Sequence, residues 1–97
     1  MATRFEWDER KAEANWKKHK VRFQAARVVW QDRMAIDEPD ETEHYGEDRF
    51  NRIGMADDRL LRVTYTEHID EESRDEIIRI ISARKATRRE AREYHEA

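Results

Sequence analysis

The chain has 97 residues, 37% hydrophobic and 44% charged, against roughly 45–50% apolar and about 25% charged in an ordinary soluble domain. Twenty Lys and Arg oppose 23 Asp and Glu for a net charge of -3, so self-repulsion does not forbid folding, but only 16 residues are Leu, Ile, Val or Phe and the core must be thin. The lack of cysteine excludes disulfides and thiolate zinc sites, and no run nears the roughly 18–20 apolar residues of a membrane span, so a single soluble, cytoplasmic domain over 1–97 is expected.

The first predicted element is a helix over 8–19, with Asp8 as N-cap, Glu9 favouring the positive end of the helix dipole and Lys17, Lys18 and His19 the negative end. A second, shorter helix starts near Phe23, because Phe23, Ala26, Arg27 and Trp30 recur at helical spacing. The stretch from Gln31 to Glu47 is acidic and holds the single proline, Pro39, which fits an edge strand or a loop. Three strand-like segments follow, at 49–55, 60–66 and 77–83, and suggest an antiparallel meander in which the isoleucine-rich last strand is central. Thr87 and Glu90 match a capping box and open a C-terminal helix over 88–96. The expected class is α+β: two N-terminal helices, an antiparallel sheet of three to four strands and a C-terminal helix.

Charge is segregated along this order. Residues 1–30 sum to +4, 31–58 to -7, 59–76 to -3 and 77–97 to +3, which places cations at both ends around an acidic middle. A local basic face binds anions whatever the total.

The four histidines, His19, His44, His68 and His95, are scattered and form no ligand pair, so the chemistry expected needs neither metal nor cofactor. Ser73 and Ser82 lack a nucleophile-elbow setting, and two glycines cannot build a phosphate loop. What remains is cations with a few proton carriers, the composition required for metal-free cleavage of RNA. There the 2′-hydroxyl is the nucleophile, a base takes its proton, positive groups stabilise the phosphorane and an acid protonates the leaving oxygen. Arg79, Arg84, Arg49 and Lys18 can supply charge, and His19, Glu47, Tyr65 and Tyr94 can move protons.

Each signal also has a plain structural explanation. Lys11, Asn15, Lys18 and His19 share one stripe of the first helix, as any solvated face does. Arg79 among four isoleucines must snorkel, pair with a carboxylate or line a site. Trp7, Trp16, Phe23 and Trp30 are read as packing rather than base-stacking residues.

The combination is more specific than its parts. Trp7-Asp8-x-x-Lys11, Asn15-x-x-Lys18-His19, Phe23 and Ala26 resemble the opening of the BrnT toxin family. Glu47-x-Arg49, Gly54, the run from Arg79 to Glu90 and Tyr94 are similar to the rest of that pattern in the same order, and Lys20 departs from it where a glycine is common. The resemblance implies a RelE-like fold and an endoribonuclease toxin of a type II toxin–antitoxin pair that inhibits translation. Its implied partners are RNA as substrate, a BrnA-type ribbon-helix-helix antitoxin that silences it, and DNA only through that antitoxin. Carried onto this chain it points to Lys18, His19, Glu47, Arg49, Arg79, Ser82, Arg84 and Tyr94, to which Tyr65 is added as a phenol on a central strand. The alternatives are a non-catalytic nucleic-acid binder, which should be more basic overall, and a protein-interaction module, which leaves Arg79 unexplained.

Overall fold

The computed structural model describes residues 2–42 and 46–97. Its elements run β1 (Thr3–Glu6), α1 (Glu9–His19), α2 (Phe23–Ala26), a 3₁₀ turn (Arg27–Gln31), β2 (Ile36–Pro39), β3 (Phe50–Ala56), β4 (Arg59–Ile69), β5 (Glu76–Lys85) and α3 (Arg88–Glu96). The strands form one sheet in the order β1-β5-β4-β3-β2. The α+β class stands, but the sheet has five strands and is mixed, because β1 lies parallel to β5 with Glu6 opposite Arg79 while the other pairs are antiparallel.

Three expectations need correction. Four residues of β1 carry too little alternation to be seen, and only the ladder of β5 makes them a strand. The helix predicted from Phe23 to Trp30 tightens after Ala26 into the 3₁₀ turn. Residues 67–69 and 76 fall outside the strands expected at 60–66 and 77–83 because they are mostly polar, yet their backbones pair in the ladder. At this end Glu67, His68 and Ile69 are exposed, and backbone pairing is indifferent to that.

Other local readings hold for physical reasons. Asp8 caps α1 by accepting from the backbone N–H groups of Arg10 and Lys11, and Thr87 with Glu90 forms the full capping box of α3. Lys20 closes α1 in a left-handed conformation, φ 58°, the geometry that glycine adopts without strain. Asp57, with φ 57°, begins the two-residue turn joining β3 to β4.

α1, α2 and the 3₁₀ turn cover one face of the sheet. There Val21, Phe23, Ala26 and Val29 meet Leu61, Val63, Ile80 and Ala83. Trp7 packs edge-on against Phe23, and Trp30 against both Phe5 and Tyr65, so these rings belong to the packing. Trp16 instead faces outward with the Arg22 guanidinium 4.0 Å above its ring. Gly54 lets the 3₁₀ segment approach β3, since a Cβ there would stand 3.0 Å from that of Ala35 and 3.2 Å from that of Val29. α3 lies over β3 on the other face.

Candidate functional site

Strict alternation would put Arg79 and Ser82 on opposite faces of β5. A register shift changes this: Thr66 faces Arg79 and Tyr65 faces Ile80, but Thr64 faces Ser82, so Ile81 is an extra residue on β5. The bulge brings Ser82 and Arg84 onto the same face as Arg79, opposite Thr64, Arg62 and Thr66 of β4.

α1 brings further cations to this strand. β1 ends opposite Arg79, which leaves the following stretch of β5 without a strand neighbour, and α1 lies along that edge. Asn15, the one buried residue of α1, spans the gap: its amide oxygen accepts from the Ala83 N–H at 3.0 Å and its amide nitrogen donates to the Ala83 carbonyl at 2.8 Å. Lys18 and His19 follow Asn15 by one helical turn, and with Lys11, Ile81 and Ser82 they line a depression of about 230 Å³. Arg79, exposed, lines a second hollow of about 400 Å³ shared with Glu6, Asp8 and Glu9. Among the described residues, no carboxylate lies within ion-pair distance of Lys11, Lys18, His19 or Arg79. Arg79 is therefore exposed and, among the described residues, forms no salt bridge.

Arg84 differs. Its two terminal nitrogens bind the Glu90 carboxylate at 2.8 and 2.9 Å, and Arg62 approaches the same carboxylate at 3.3 Å. Burial pushes the Glu90 carboxyl up, but the Arg84 hydrogen bonds, the Thr87 N–H and both guanidinium charges outweigh it and hold the group below its ordinary range. The cluster ties α3 to the sheet and neutralises much of the Arg84 charge.

The remaining candidates lie elsewhere. Glu47 and Arg49 pair with each other at 3.4 Å in the segment leading into β3. Tyr94, on α3, donates to Asp32 at 2.6 Å, and Asp32 also accepts from the Met55 N–H at 2.7 Å. The bond to Asp32, with some burial, raises the Tyr94 phenol, so it stays protonated near neutrality. Tyr65 lies apart from them, on the helix-covered face, 4% exposed, and donates to Asp37 at 2.7 Å. Burial and then Asp37 push its phenol far above the ordinary tyrosine value, and its hollow, shared with Trp30, Phe50 and Arg52, does not include Ser82 or Arg79.

Among the described residues no group of three or more His, Cys, Asp or Glu is placed to hold a metal ion, and His44 lies outside those residues. No described helix is long and apolar enough to cross a membrane.

Comparison with protein families matches residues 7–90 to the ribonuclease toxin, BrnT, of type II toxin–antitoxin systems. The chain belongs to the BrnT family. Comparison with individual curated proteins gives no match. Membership makes this a ribonuclease toxin whose partner is an antitoxin. In this BrnT chain the matched span includes α1 and all of β3, β4 and β5, hence every residue of the surface just described.

Three structural residues of this BrnT surface escaped the sequence reading. Asn15 was visible as a polar position on a helix stripe and as part of the family motif but not as a bridge to β5, although an asparagine in a helix interior is itself a signal, since the side chain competes for backbone hydrogen bonds. Glu90 was read as a cap residue and proves to serve two arginines as well. Asp32, in an acidic stretch, carried no distinguishing mark.

Proposed function

We propose that this BrnT toxin cleaves RNA without a metal ion, at the surface formed by Lys18, His19, Arg79 and Ser82. One observation carries the reading: Lys18 and His19 line a depression with Ser82, Arg79 shares the Ser82 face of β5, and among the described residues none of these three has a carboxylate within ion-pair distance. A phosphodiester laid across β5 meets Arg79 and Lys18 as counter-charges to the extra negative charge of the phosphorane, and Ser82 as a neutral donor. His19 is the proton carrier, since imidazole both takes and gives a proton. In the step itself the 2′-oxygen bonds to phosphorus and the bond from phosphorus to the 5′-oxygen breaks. The 2′-hydroxyl proton passes to the base, and the 5′-oxygen is protonated as it leaves. The products are a 2′,3′-cyclic phosphate and a 5′-hydroxyl. Arg84 acts mainly by fixing α3, while Tyr65 and Tyr94 stay protonated and move no proton.

The antitoxin, in this reading a ribbon-helix-helix protein, covers the same surface with its carboxylates and touches promoter DNA itself. The toxin reaches DNA only as a passenger, in keeping with its charge of -7 over residues 31–58.

End-group analysis tests the chemistry. Purified toxin incubated with a structured RNA in excess chelator should release fragments with 5′-hydroxyl ends. A requirement for Mg²⁺, or 5′-phosphate ends, overturns the mechanism, and binding without any product favours a non-catalytic RNA binder.

A further inference from the structure

α1 and β5 bear the two halves of the proposed site. α1 carries Lys18 and His19, and β5 carries Arg79 and Ser82. Among the described residues their direct hydrogen bonds run through one side chain, the Asn15 carboxamide. That group is 6% exposed and uses both its N–H donors, since its nitrogen also donates to the Val21 carbonyl at 3.0 Å. It presents a donor and an acceptor to Ala83 as a peptide group of a neighbouring strand would, along the edge that β1 has vacated. Its position in the sequence matters equally. Ala83 follows the bulged residue Ile81 by two, so the bond holds the strand where the bulge has just turned Ser82 to the face of Arg79. On the helix, Lys18 and His19 lie three and four residues beyond Asn15, on the same side.

We propose that Asn15 is a positioning residue for RNA cleavage, setting the distance of Lys18 and His19 from Ser82 and Arg79. The proposal rests on the ribonuclease reading. All three hydrogen bonds of the Asn15 side chain go to backbone groups, so it fixes the register between a helix and a bulged strand, and a displacement of about 1 Å between groups that act together is enough to cost roughly 10²-fold in rate. RNA affinity depends less on this register, because phosphate attraction tolerates small displacements.

The test uses the full chain with Asn15→Ala and Asn15→Asp. The aspartate can still accept from the Ala83 N–H but sets a carboxylate against the Ala83 and Val21 carbonyls. Circular dichroism gives the folded fraction, fluorescence anisotropy gives affinity for a labelled RNA oligonucleotide, and single-turnover kinetics gives the cleavage rate per folded molecule. The expected result is a rate lower by about 10²-fold in a folded variant, with RNA affinity within about threefold of the unmodified chain. A folded variant that cleaves at the unmodified rate, or that loses rate only in proportion to affinity, overturns the positioning role. So does failure of both variants to fold, which would make Asn15 a folding determinant alone. An unmodified chain that leaves RNA intact refutes the ribonuclease reading first and is thereby distinguished from these outcomes.

Discussion

Replacing Glu90 by glutamine tests the electrostatic tie that holds α3 on the sheet. Three hydrogen bonds reach this carboxylate, from Arg84 at 2.8 and 2.9 Å and from the Thr87 backbone at 2.9 Å, and the Arg62 guanidinium forms an ion pair with it at 3.3 Å. Glutamine keeps the size and an oxygen for Thr87 but removes the charge, leaving two guanidinium groups side by side. Hydrogen bonds to charged groups contribute about 1.5–3 kcal/mol net. The Arg84 and Arg62 side chains are 29% and 21% exposed, so water recovers part of the loss and about 2 kcal/mol is expected. At about 4–8 °C per kcal/mol for a domain of this size, Tm should fall by roughly 8–16 °C. The loss has a defined pH dependence. Because the folded carboxyl lies below its ordinary value of 4.5, its contribution is whole above that value and disappears as pH falls through the folded value. Thermal unfolding followed by circular dichroism at pH 7 and at pH 3 should therefore show a wide gap between the two chains that narrows in acid. A Tm at pH 7 within about 2 °C of the unmodified chain, or an equal gap at both pH values, refutes the assignment. Freed of its counter-charge, Arg84 should also raise RNA affinity, an effect that salt should suppress.

Further substitutions separate chemistry from packing. Arg79→Ala should lower cleavage by about 10²–10³-fold and leave Tm within about 2 °C, since the side chain is exposed and has no ion pair among the described residues; a large drop in Tm on thermal unfolding would contradict this. Tyr65→Phe should leave the cleavage rate within about twofold while costing about 1 kcal/mol for the lost bond to Asp37, read from urea unfolding. Lys20→Gly should raise stability by up to about 1 kcal/mol, since φ 58° strains a residue bearing a Cβ; an unchanged Tm would place that strain elsewhere.

Local signals were legible in the sequence where a single residue decides the geometry. Asp8 and the pair Thr87 and Glu90 mark helix starts because capping is a short-range exchange of hydrogen bonds, and Pro39 marks an edge because it cannot donate. What stayed hidden depends on pairing at long range. β1 exists because β5 offers it a ladder 73 residues away in sequence, with Thr3 opposite Glu76. The bulge at Ile81 is equally silent, since nothing in Ile80-Ile81-Ser82 departs from an ordinary strand, yet it decides that Arg79 and Ser82 share a face. Of the nine candidate residues, Lys18, His19 and Ser82 line one hollow and Arg79 shares the Ser82 face of β5, while the cation of Arg84 was legible but its carboxylate partnership was not. Tyr65 stands apart from these four, since alternation tells which residues share a face but not which face the helices cover.

The central claim is that the RNA supplies its own nucleophile while this chain supplies charge and proton transfer. Once a cleavage position is mapped in a defined RNA, a 2′-O-methyl group at the nucleotide on the 5′ side of that phosphate removes the nucleophile and leaves the phosphate in place. The account predicts that cleavage there disappears while anisotropy shows RNA binding within a few-fold of the unmodified oligonucleotide. Continued cleavage at the methylated position would contradict it.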